Sequence, residues 1–409
     1  MKKTLNERIL AENIKISNDD RLTGNNANDI IIGGSGSGKT SGYVSANLSD
    51  PSGSSYVIQD TKGRLYNQFS DSLKAKGYEV ALIDFVAPSS NSYGYNPLRY
   101  IRRRKDGSIV EQDIKKLATQ IMPIMQDHDP FWPKSAIRYI AMLISYVLEA
   151  LPEDEVNMRS VIKMHQLFQS NTGISLMSDW AKDNPDSYTA RKFNVMSGTM
   201  VAEKTWSSIL AFACEATDPF DCLEFNNIFC NDNQFDMTSL GRKKVALFVN
   251  VSDHDISYGM LSNILYSQLM QVLLDEADKQ RDGRLKVSVR FILDDFGASS
   301  AIPYFDNLMS IIRSRGISCS IILQSLSQLR SMYSESSATC IINNCDTILF
   351  LSTNDLKTAE FIGNRINMTP HSVLSLPSNK AILIMRGKQP QIVDKIVPHF
   401  PSLEPQIIP

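Results

Sequence analysis

The segment that most constrains the fold is DIIIGGSGSGKTSGYV, residues 29–44. A short apolar run leads into a loop of glycines and serines, and a plausible helix follows. The spacing fits G-x-x-x-x-G-K-[ST], the phosphate-binding loop (P-loop), in which Lys39 neutralises phosphate oxygens and Thr40 ligates Mg²⁺. Glycines let successive backbone N–H groups face the phosphates. The sequence therefore predicts a triphosphate site formed by Gly33, Gly34, Ser35, Gly36, Ser37, Gly38, Lys39, Thr40 and Ser41.

Eight segments share one pattern, a short apolar run that ends in a polar residue or glycine. They are DIIIGG, SYVIQD, EVALID, VALFVNVSD near Asp253, VRFILDD, CSIILQ, TILFLST and AILIMRG. Runs that are apolar on both faces indicate buried parallel strands with helices on both sides. Ligands of such sheets bind at the carboxyl ends of the strands, where these polar residues lie. The pattern predicts an α/β nucleotide-binding domain with a mostly parallel sheet.

The middle of the chain has a different pattern. From about Ile109 to Leu240, helical spacing replaces the short apolar runs, as in SAIRYIAMLISYVLEAL and KTWSSILAFACEA, and breaks such as HDPFWPK and LPEDE separate the helices. We predict an all-α domain, residues 109–240, inserted between two halves of one α/β domain, residues 1–108 and 241–409.

Composition limits the class of protein. The chain has 409 residues, 42 basic and 44 acidic side chains, and a net charge of −2, so a dedicated nucleic-acid coat is excluded and any such contact is local. Six cysteines without a Cys-x-x-Cys pair, together with five histidines, predict no structural zinc. The best candidate for a membrane span, YIAMLISYVLEAL, is shorter than the roughly 20 apolar residues required. We expect a soluble chain.

A second metal anchor follows the run VRFIL. In P-loop ATPases an Asp at the end of a neighbouring buried strand holds Mg²⁺ through water, and we predict this role for Asp294. The next residue, Asp295, is predicted to polarise the attacking water. Most P-loop ATPases with this arrangement have Glu at the second position. Asp is one methylene shorter, so the sequence leaves open whether its carboxylate reaches the water. The alternative is that both carboxylates are simply exposed at a strand end.

Three further residues are candidates for sensing the γ-phosphate. Arg313 and Arg315 end the helical segment YFDNLMSIIRSRG and are candidate arginine fingers for a neighbouring subunit; the alternative is a surface or helix-capping role. Gln324 ends the run CSIILQ, where its amide can both donate and accept hydrogen bonds. The guanine-reading Asn-Lys-x-Asp motif and the Leu-Ser-Gly-Gly-Gln motif of ABC transporters are absent, which disfavours both classes.

Taken together, the motifs resemble those of the coupling ATPases of conjugative type IV secretion, the TraG/TraD-like proteins. The resemblance covers nearly the whole chain and is carried, in order, by IIGGSGSGKT, SYVIQDTKGRLYNQFSDSLKAKGYEV, YNPLRYI, DPFWPKSA from Asp129, FILDDFG, IIRSRGIS, IILQSLSQL and NNCDTILFLSTND.

The resemblance implies a RecA-like core with an inserted all-α domain that helps to recognise substrate. It also implies ATP and Mg²⁺ as ligands, and a homo-hexamer at the cytoplasmic membrane that can be monomeric in isolation. Such rings hand relaxase–DNA complexes or protein substrates to the secretion channel. The implied location is cytoplasmic, peripheral at the inner face of the membrane. Family roles carry over to Lys39, Thr40, Asp294 and Gln324, and to Arg313 or Arg315.

The chain departs from the family pattern at three positions. Thr61 and Arg64 stand where the family's Asp-Pro-Lys-Gly-Glu segment has Pro and Glu, and Asp295 stands where Glu is common. The usual N-terminal membrane hairpin is also missing, so the chain is either a trimmed piece or a branch that docks on membrane partners. Three functions follow as alternatives: an ATP-hydrolysing motor, a nucleotide-binding docking adaptor with weak or no hydrolysis, and a DNA pump of the chromosome segregation or repair type.

Overall fold

The computed structural model describes residues 6–89, 91–122, 130–252, 259–298 and 301–397. Within these ranges the chain forms eleven strands: β1 Glu7–Ala11, β2 Ile14–Ser17, β3 Asp29–Ile32, β4 Ser55–Asp60, β5 Glu79–Asp84, β6 Val245–Asn250, β7 Val289–Leu293, β8 Ile317–Leu323, β9 Thr347–Phe350, β10 Lys380–Met385 and β11 Gln391–Asp394.

Nine of these strands form one sheet in the order β11-β10-β9-β3-β8-β7-β4-β6-β5, and β1 pairs with β2 as a separate antiparallel hairpin. The pairings from β9 through β3, β8, β7 and β4 to β6 are all parallel. Every residue of β3, β4 and β7 is buried, as expected for strands that are covered on both faces. The carboxyl ends of the central strands therefore meet at one edge of the sheet.

All eight predicted apolar runs form strands, and the prediction of an α/β fold with a mostly parallel sheet is confirmed. The run AILIMRG forms β10, which is antiparallel to β9 and β11, so its predicted parallel orientation is wrong. β10 ends at Met385 and β11 begins at Gln391, and a connection this short joins only antiparallel strands, because a parallel pair needs a crossover of a dozen or more residues. β1, β2 and β11 were not predicted because they are only partly buried and their sequences, ERILA, IKIS and QIVD, mix polar with apolar residues. The predicted strand end at Asp253, and Asp129 of the motif DPFWPKSA, lie outside the described residues.

Sixteen α-helices connect or cover the strands in the described ranges. They are α1 Asp20–Thr23, α2 Ser45–Ser49, α3 Arg64–Ala75, α4 Glu111–Ile121, α5 Phe131–Ala150, α6 Met158–Phe168, α7 Asn171–Asp183, α8 Tyr188–Met200, α9 Glu203–Thr217, α10 Asn226–Phe229, α11 Gly259–Asp278, α12 Phe305–Ile311, α13 Leu326–Met332, α14 Glu335–Asn343, α15 Leu356–Ile366 and α16 Pro370–Leu374.

The described residues fall into two compact units. A sheet unit takes those within 1–82, 236–256 and 270–409, and a helical unit takes those within 83–235 and 257–269. The division differs from the predicted boundaries because the segment after β5 packs within the helical unit. There the Tyr95 hydroxyl donates to the side chain of Gln268 at 2.6 Å, and the side-chain amide of Asn96 donates to the carbonyl of Val156 at 2.6 Å.

The helical unit contains α5, whose sequence includes the longest apolar segment. Fourteen of its twenty residues are buried, so this segment is a core helix of the unit. Across the described ranges, no helix combines the length and the hydrophobicity that crossing a bilayer requires.

A buried charge cluster fixes the amino end of β3. Asp29 is fully buried, and its carboxylate accepts hydrogen bonds from Arg8 at 2.9 Å, Arg290 at 3.1 Å and the Tyr43 hydroxyl at 2.8 Å. Both arginine side chains are only 2% exposed. Arg8 comes from the β1–β2 hairpin, Arg290 from β7, and Tyr43 from the helix that follows the P-loop. One carboxylate thus ties three parts of the sheet unit together.

We expect Asp29→Ala to destabilise the sheet unit by about 3–5 kcal/mol, because the substitution leaves two buried guanidinium groups without a counter-charge. Chemical denaturation followed by far-ultraviolet circular dichroism measures the loss. Asp50→Ala is the matched control, since it breaks the exposed pair of Asp50 with Lys15 and should cost less than about 1 kcal/mol. Equal effects of the two substitutions would contradict the interpretation.

Candidate nucleotide site

The loop between β3 and the following helix has the geometry of a phosphate cradle. Its start is anchored to neighbouring strand ends, because the Gly33 N–H donates to the Leu323 carbonyl at 2.9 Å and the Gly34 N–H donates to the Ser352 carbonyl at 3.2 Å. A Cβ atom at Gly33 would lie 2.2 Å from the Ser37 hydroxyl and 3.1 Å from Cγ of Lys39, so a larger residue there would displace the Ser37 side chain and crowd Lys39. Gly36 and Gly38 have φ values of 73° and 95°, in the left-handed region that favours glycine.

The helix after the loop begins as a π-helical turn, Lys39–Val44, and continues as α2. The Gly42 and Tyr43 N–H groups both donate to the Gly38 carbonyl, at 2.9 and 3.3 Å. Such π turns inside helices are often found at functional sites. The buried Tyr43 hydroxyl holds this turn against Asp29, so the conformation of the loop depends on the charge cluster beneath it.

Lys39 is 7% exposed and its ammonium group lies against the loop itself. It donates to the carbonyls of Gly33 at 2.7 Å and Gly34 at 3.0 Å. Burial lowers the pKa of Lys39, and the carboxylates of Asp295 and Asp294 oppose that shift. The loop therefore holds a partly desolvated cation, which is the group that a bound phosphate needs.

Thr40 and Asp294 are in direct contact. The Thr40 hydroxyl donates to the Asp294 carboxylate at 2.6 Å, although the two residues are 254 positions apart in sequence. Asp294 is 3% exposed, and burial, aided by the Asp295 carboxylate, raises its pKa to about 6. A hydroxyl and a carboxylate oxygen are the hard donors that Mg²⁺ prefers, so the pair fits this ion.

Asp295 is half-buried beside Asp294 and has an uncommon backbone. Its φ is 47°, in the left-handed region, where a residue with a Cβ atom is strained. The Asp295 N–H donates to the Asp294 side chain at 3.1 Å. Strained residues of this kind cluster at active sites, where the surrounding structure maintains them. Asp and Asn adopt this conformation most readily among residues other than glycine.

These residues face one open cleft of about 650 Å³, within the usual range for a small-molecule site. Side chains of both charges line the cleft. The basic ones are Lys39, Lys62 and Arg64, and the acidic ones are Asp60 at the end of β4 and Asp294 and Asp295 directly after β7. The cleft is lined by residues 35–41, Ser45, Asp60, Thr61, Lys62, Arg64, Leu65, Gln68, Asp294, Asp295 and Gln324. Gly33 and Gly34 do not line it and instead hold Lys39.

The remaining predicted residues are divided between the two edges of the sheet. Gln324 follows β8, is exposed and lines the cleft. Arg313 and Arg315 precede β8 and therefore lie at the opposite edge. Arg313 pairs with Asp20 at 3.2 Å, and Arg315 pairs with Asp278 at 3.2 Å. Within one chain the structure does not bring either arginine to the cleft, so their finger role stays a prediction about a neighbouring subunit.

Several polar residues in or near the cleft were not predicted as site residues, among them Asp60, Gln59 and Gln328. Asp60 lines it, and its carboxylate accepts the N–H groups of Arg64 at 3.1 Å and Tyr66 at 3.0 Å, which starts α3; burial raises the pKa of Asp60. Gln59 donates to the Asp294 carbonyl, and Gln328 accepts from the Gln324 N–H at 2.9 Å. The sequence carried a signal for Asp60, because it ends the apolar run SYVIQD just as Asp294 ends VRFIL. Nothing in the sequence distinguishes the two glutamines.

Residues 6–366 match the family described as Type IV secretory system Conjugative DNA transfer. The chain is 24% identical over 359 residues to the probable conjugal transfer protein TraG of Sinorhizobium fredii, a match that covers 83% of this chain and 52% of TraG. The chain spans about half the length of the curated relatives that it matches.

Solved structures show the same fold. The unbound bacterial conjugative coupling protein TrwBdeltaN70 superposes with a TM-score of 0.70 at 14% identity, covering 98% of this chain and 90% of that one. Plasmid coupling protein TrwB in complex with ADP and Mg²⁺ gives a TM-score of 0.66 at 14% identity, with 92% of this chain and 87% of that one covered. Since the family model spans most of the sequence, the chain belongs to the Type IV secretory system conjugative DNA transfer family.

Proposed function

We propose that the chain binds ATP with Mg²⁺ in the cleft and uses hydrolysis to recruit and deliver conjugative substrate. The observation that carries this proposal is the contact of Thr40 with Asp294 next to Lys39, which brings the metal-binding and phosphate-binding groups of a P-loop ATPase together. The TrwB complex with ADP and Mg²⁺ supports the same choice of ligands.

Each residue has a physical role in the proposed reaction. The loop N–H groups and the Lys39 ammonium bind and orient the phosphates, and Lys39 offsets the charge that builds up on the leaving group. Thr40 and Asp294 would hold Mg²⁺, which when bound supplies charge neutralisation to the phosphates. Asp295 orients the attacking water and accepts its hydrogen bond. Gln324 reaches the cleft from β8 and can contact both the water and the phosphate.

The substrate is the relaxase–DNA complex or a protein of the same secretion system, handed to channel proteins at the inner face of the cell membrane. We propose a homo-hexamer as the working form, in which Arg313 or Arg315 of one subunit reaches the cleft of the next. Recognition of substrate is the proposed role of the helical unit. Membership in the conjugative DNA transfer family supports this class of substrate.

Two measurements on the wild-type chain test the proposal. ATP turnover, followed by phosphate release, is expected to rise severalfold when single-stranded DNA is added. Light scattering with ATP and single-stranded DNA, added separately and together, is expected to show a larger species when both are present. Turnover that stays at background under every condition, also with channel partners, would overturn the hydrolytic function.

A second candidate is a docking adaptor that binds nucleotide but hydrolyses little, and the short side chain and strained backbone of Asp295 favour it. Asp295→Glu discriminates between the two functions because Glu restores the missing methylene. For a motor that is built around Asp295, turnover should fall or stay within about threefold. For an adaptor, wild-type turnover should be undetectable and Asp295→Glu should create it. Asp295→Asn, which removes the charge but keeps the size, is the matched control.

A further inference from the structure

Gln59 is a buried amide that contacts the backbone next to the two carboxylates. It lies on β4, is fully buried, and pairs in register with Leu293, the last residue of β7. Its Nε2 donates to the main-chain carbonyl of Asp294 at 2.7 Å. Gln59 does not line the cleft, and its contact with the site is through the backbone of Asp294.

The peptide between Asp294 and Asp295 is held on both sides. Its carbonyl accepts the hydrogen bond from Gln59, and its N–H donates to the Asp294 carboxylate at 3.1 Å. These two hydrogen bonds restrain the rotation of the peptide plane and therefore the direction in which the chain enters Asp295. Asp295 leaves it with a φ of 47°, which is strained and needs support from its surroundings.

The chemistry of Gln59 fits this role better than a packing role. Only its NH₂ group can face a carbonyl, so its Oε1 is turned the other way, and this oxygen has no partner among the described residues. Burying an amide oxygen without a partner costs stability, whereas an apolar side chain of the same length would avoid the cost. Its neighbours along β4, Val57 and Ile58, are apolar and fully buried. The hydrogen bond to the Asp294 carbonyl is the contribution of the amide that an apolar side chain could not make.

We propose that Gln59 is a positioning residue that holds the Asp294–Asp295 peptide, so that the left-handed Asp295 presents its short carboxylate to the cleft. A Glu at this position would reach the attacking water through its longer side chain. Asp295 is one methylene shorter, and we infer that its backbone conformation brings the carboxylate to the water instead. This inference rests on the proposed hydrolytic function, since it concerns how Asp295 meets the attacking water.

Gln59→Met tests the inference because Met keeps the length and removes the donor. We expect kcat to fall about tenfold or more, while the Kd for a fluorescent ADP analogue stays within twofold and stability does not decrease. Val57→Ala is the matched control: it is buried on the same face of β4, has no polar contact, and should lower stability without changing kcat. Gln59→Leu provides a second donor-free variant. Unchanged kcat in both Gln59 variants would overturn the inference.

A double-mutant cycle separates positioning from a general structural effect. If Gln59 acts through Asp295, adding Gln59→Met to Asp295→Asn should cost less than about twofold in single-turnover rate, although it costs tenfold in the wild-type background. An equal loss in both backgrounds would overturn the inference and leave the hydrolytic function intact. Absence of turnover in the wild-type chain would instead overturn the proposed function, and this inference with it.

Discussion

Lys39→Ala is expected to reduce ATP turnover by roughly 10²-fold or more and to weaken nucleotide binding by about 10–100-fold. The ammonium group of Lys39 is nearly buried and donates to two loop carbonyls at 2.7 and 3.0 Å, so it is already ordered where phosphate would bind. A charge-assisted hydrogen bond to phosphate is worth about 1.5–3 kcal/mol, and the stabilisation grows as charge develops in the transition state. Phosphate release and titration of a fluorescent ADP analogue measure the two effects.

Lys395→Ala is the matched control for this experiment. Its ammonium group donates to the Ser37 carbonyl at 3.3 Å from outside the cleft, and burial lowers the pKa of Lys395 as it does that of Lys39. The control removes the same charge next to the same loop without removing a group that faces phosphate. We expect a change of less than about fivefold. If Lys395→Ala lowered turnover as much as Lys39→Ala, general loop damage would explain both results.

Much of the fold could be predicted because a buried parallel strand has a local signature. Each of the eight runs is apolar over consecutive residues, as expected for a strand that is covered on both faces, and each ends in a polar residue or glycine that marks the carboxyl end of the strand. β1, β2 and β11 have no such signature, because they are only partly buried and mix polar with apolar residues. They are placed by contacts between distant segments, such as the bond from the Glu12 N–H to the Asp394 carbonyl. Contacts between distant segments leave no local pattern.

The grouping of the candidate site residues was predictable where phosphate and metal binding need particular residue types at fixed spacing. The P-loop and Asp294 meet that condition, and in the structure the Thr40 hydroxyl lies 2.6 Å from a carboxylate oxygen of Asp294. Gln59 does not, because its contribution is one hydrogen bond to a backbone carbonyl that many sequences could supply in other ways. The backbone of Asp295 was equally hidden, because a φ of 47° depends on the bonds around the peptide and not on the residue type alone.

Asp294→Asn is expected to reduce ATP turnover by roughly 10²–10³-fold and to remove the dependence of nucleotide binding on Mg²⁺. Asn keeps the size of the side chain and an oxygen that can accept from Thr40, but it lacks the charge that a divalent ion requires. The substitution should therefore change the Mg²⁺ dependence of nucleotide binding strongly and the free energy of unfolding only slightly. Asp50→Asn is the control, because this exposed carboxylate pairs with Lys15 and does not line the cleft, so turnover should stay within twofold.

The pH dependence of Mg²⁺ affinity gives this prediction a second, independent measurement. Burial raises the pKa of Asp294 to about 6 in the metal-free chain, so protons compete with Mg²⁺ for the carboxylate below that pH and not above it. In the wild-type chain the apparent Mg²⁺ affinity should be flat above about pH 7 and should fall about tenfold per unit below pH 6. The Asp294→Asn chain cannot titrate at this position and should show weak affinity without that slope. A wild-type slope that survives in Asp294→Asn would mean that another group binds the metal.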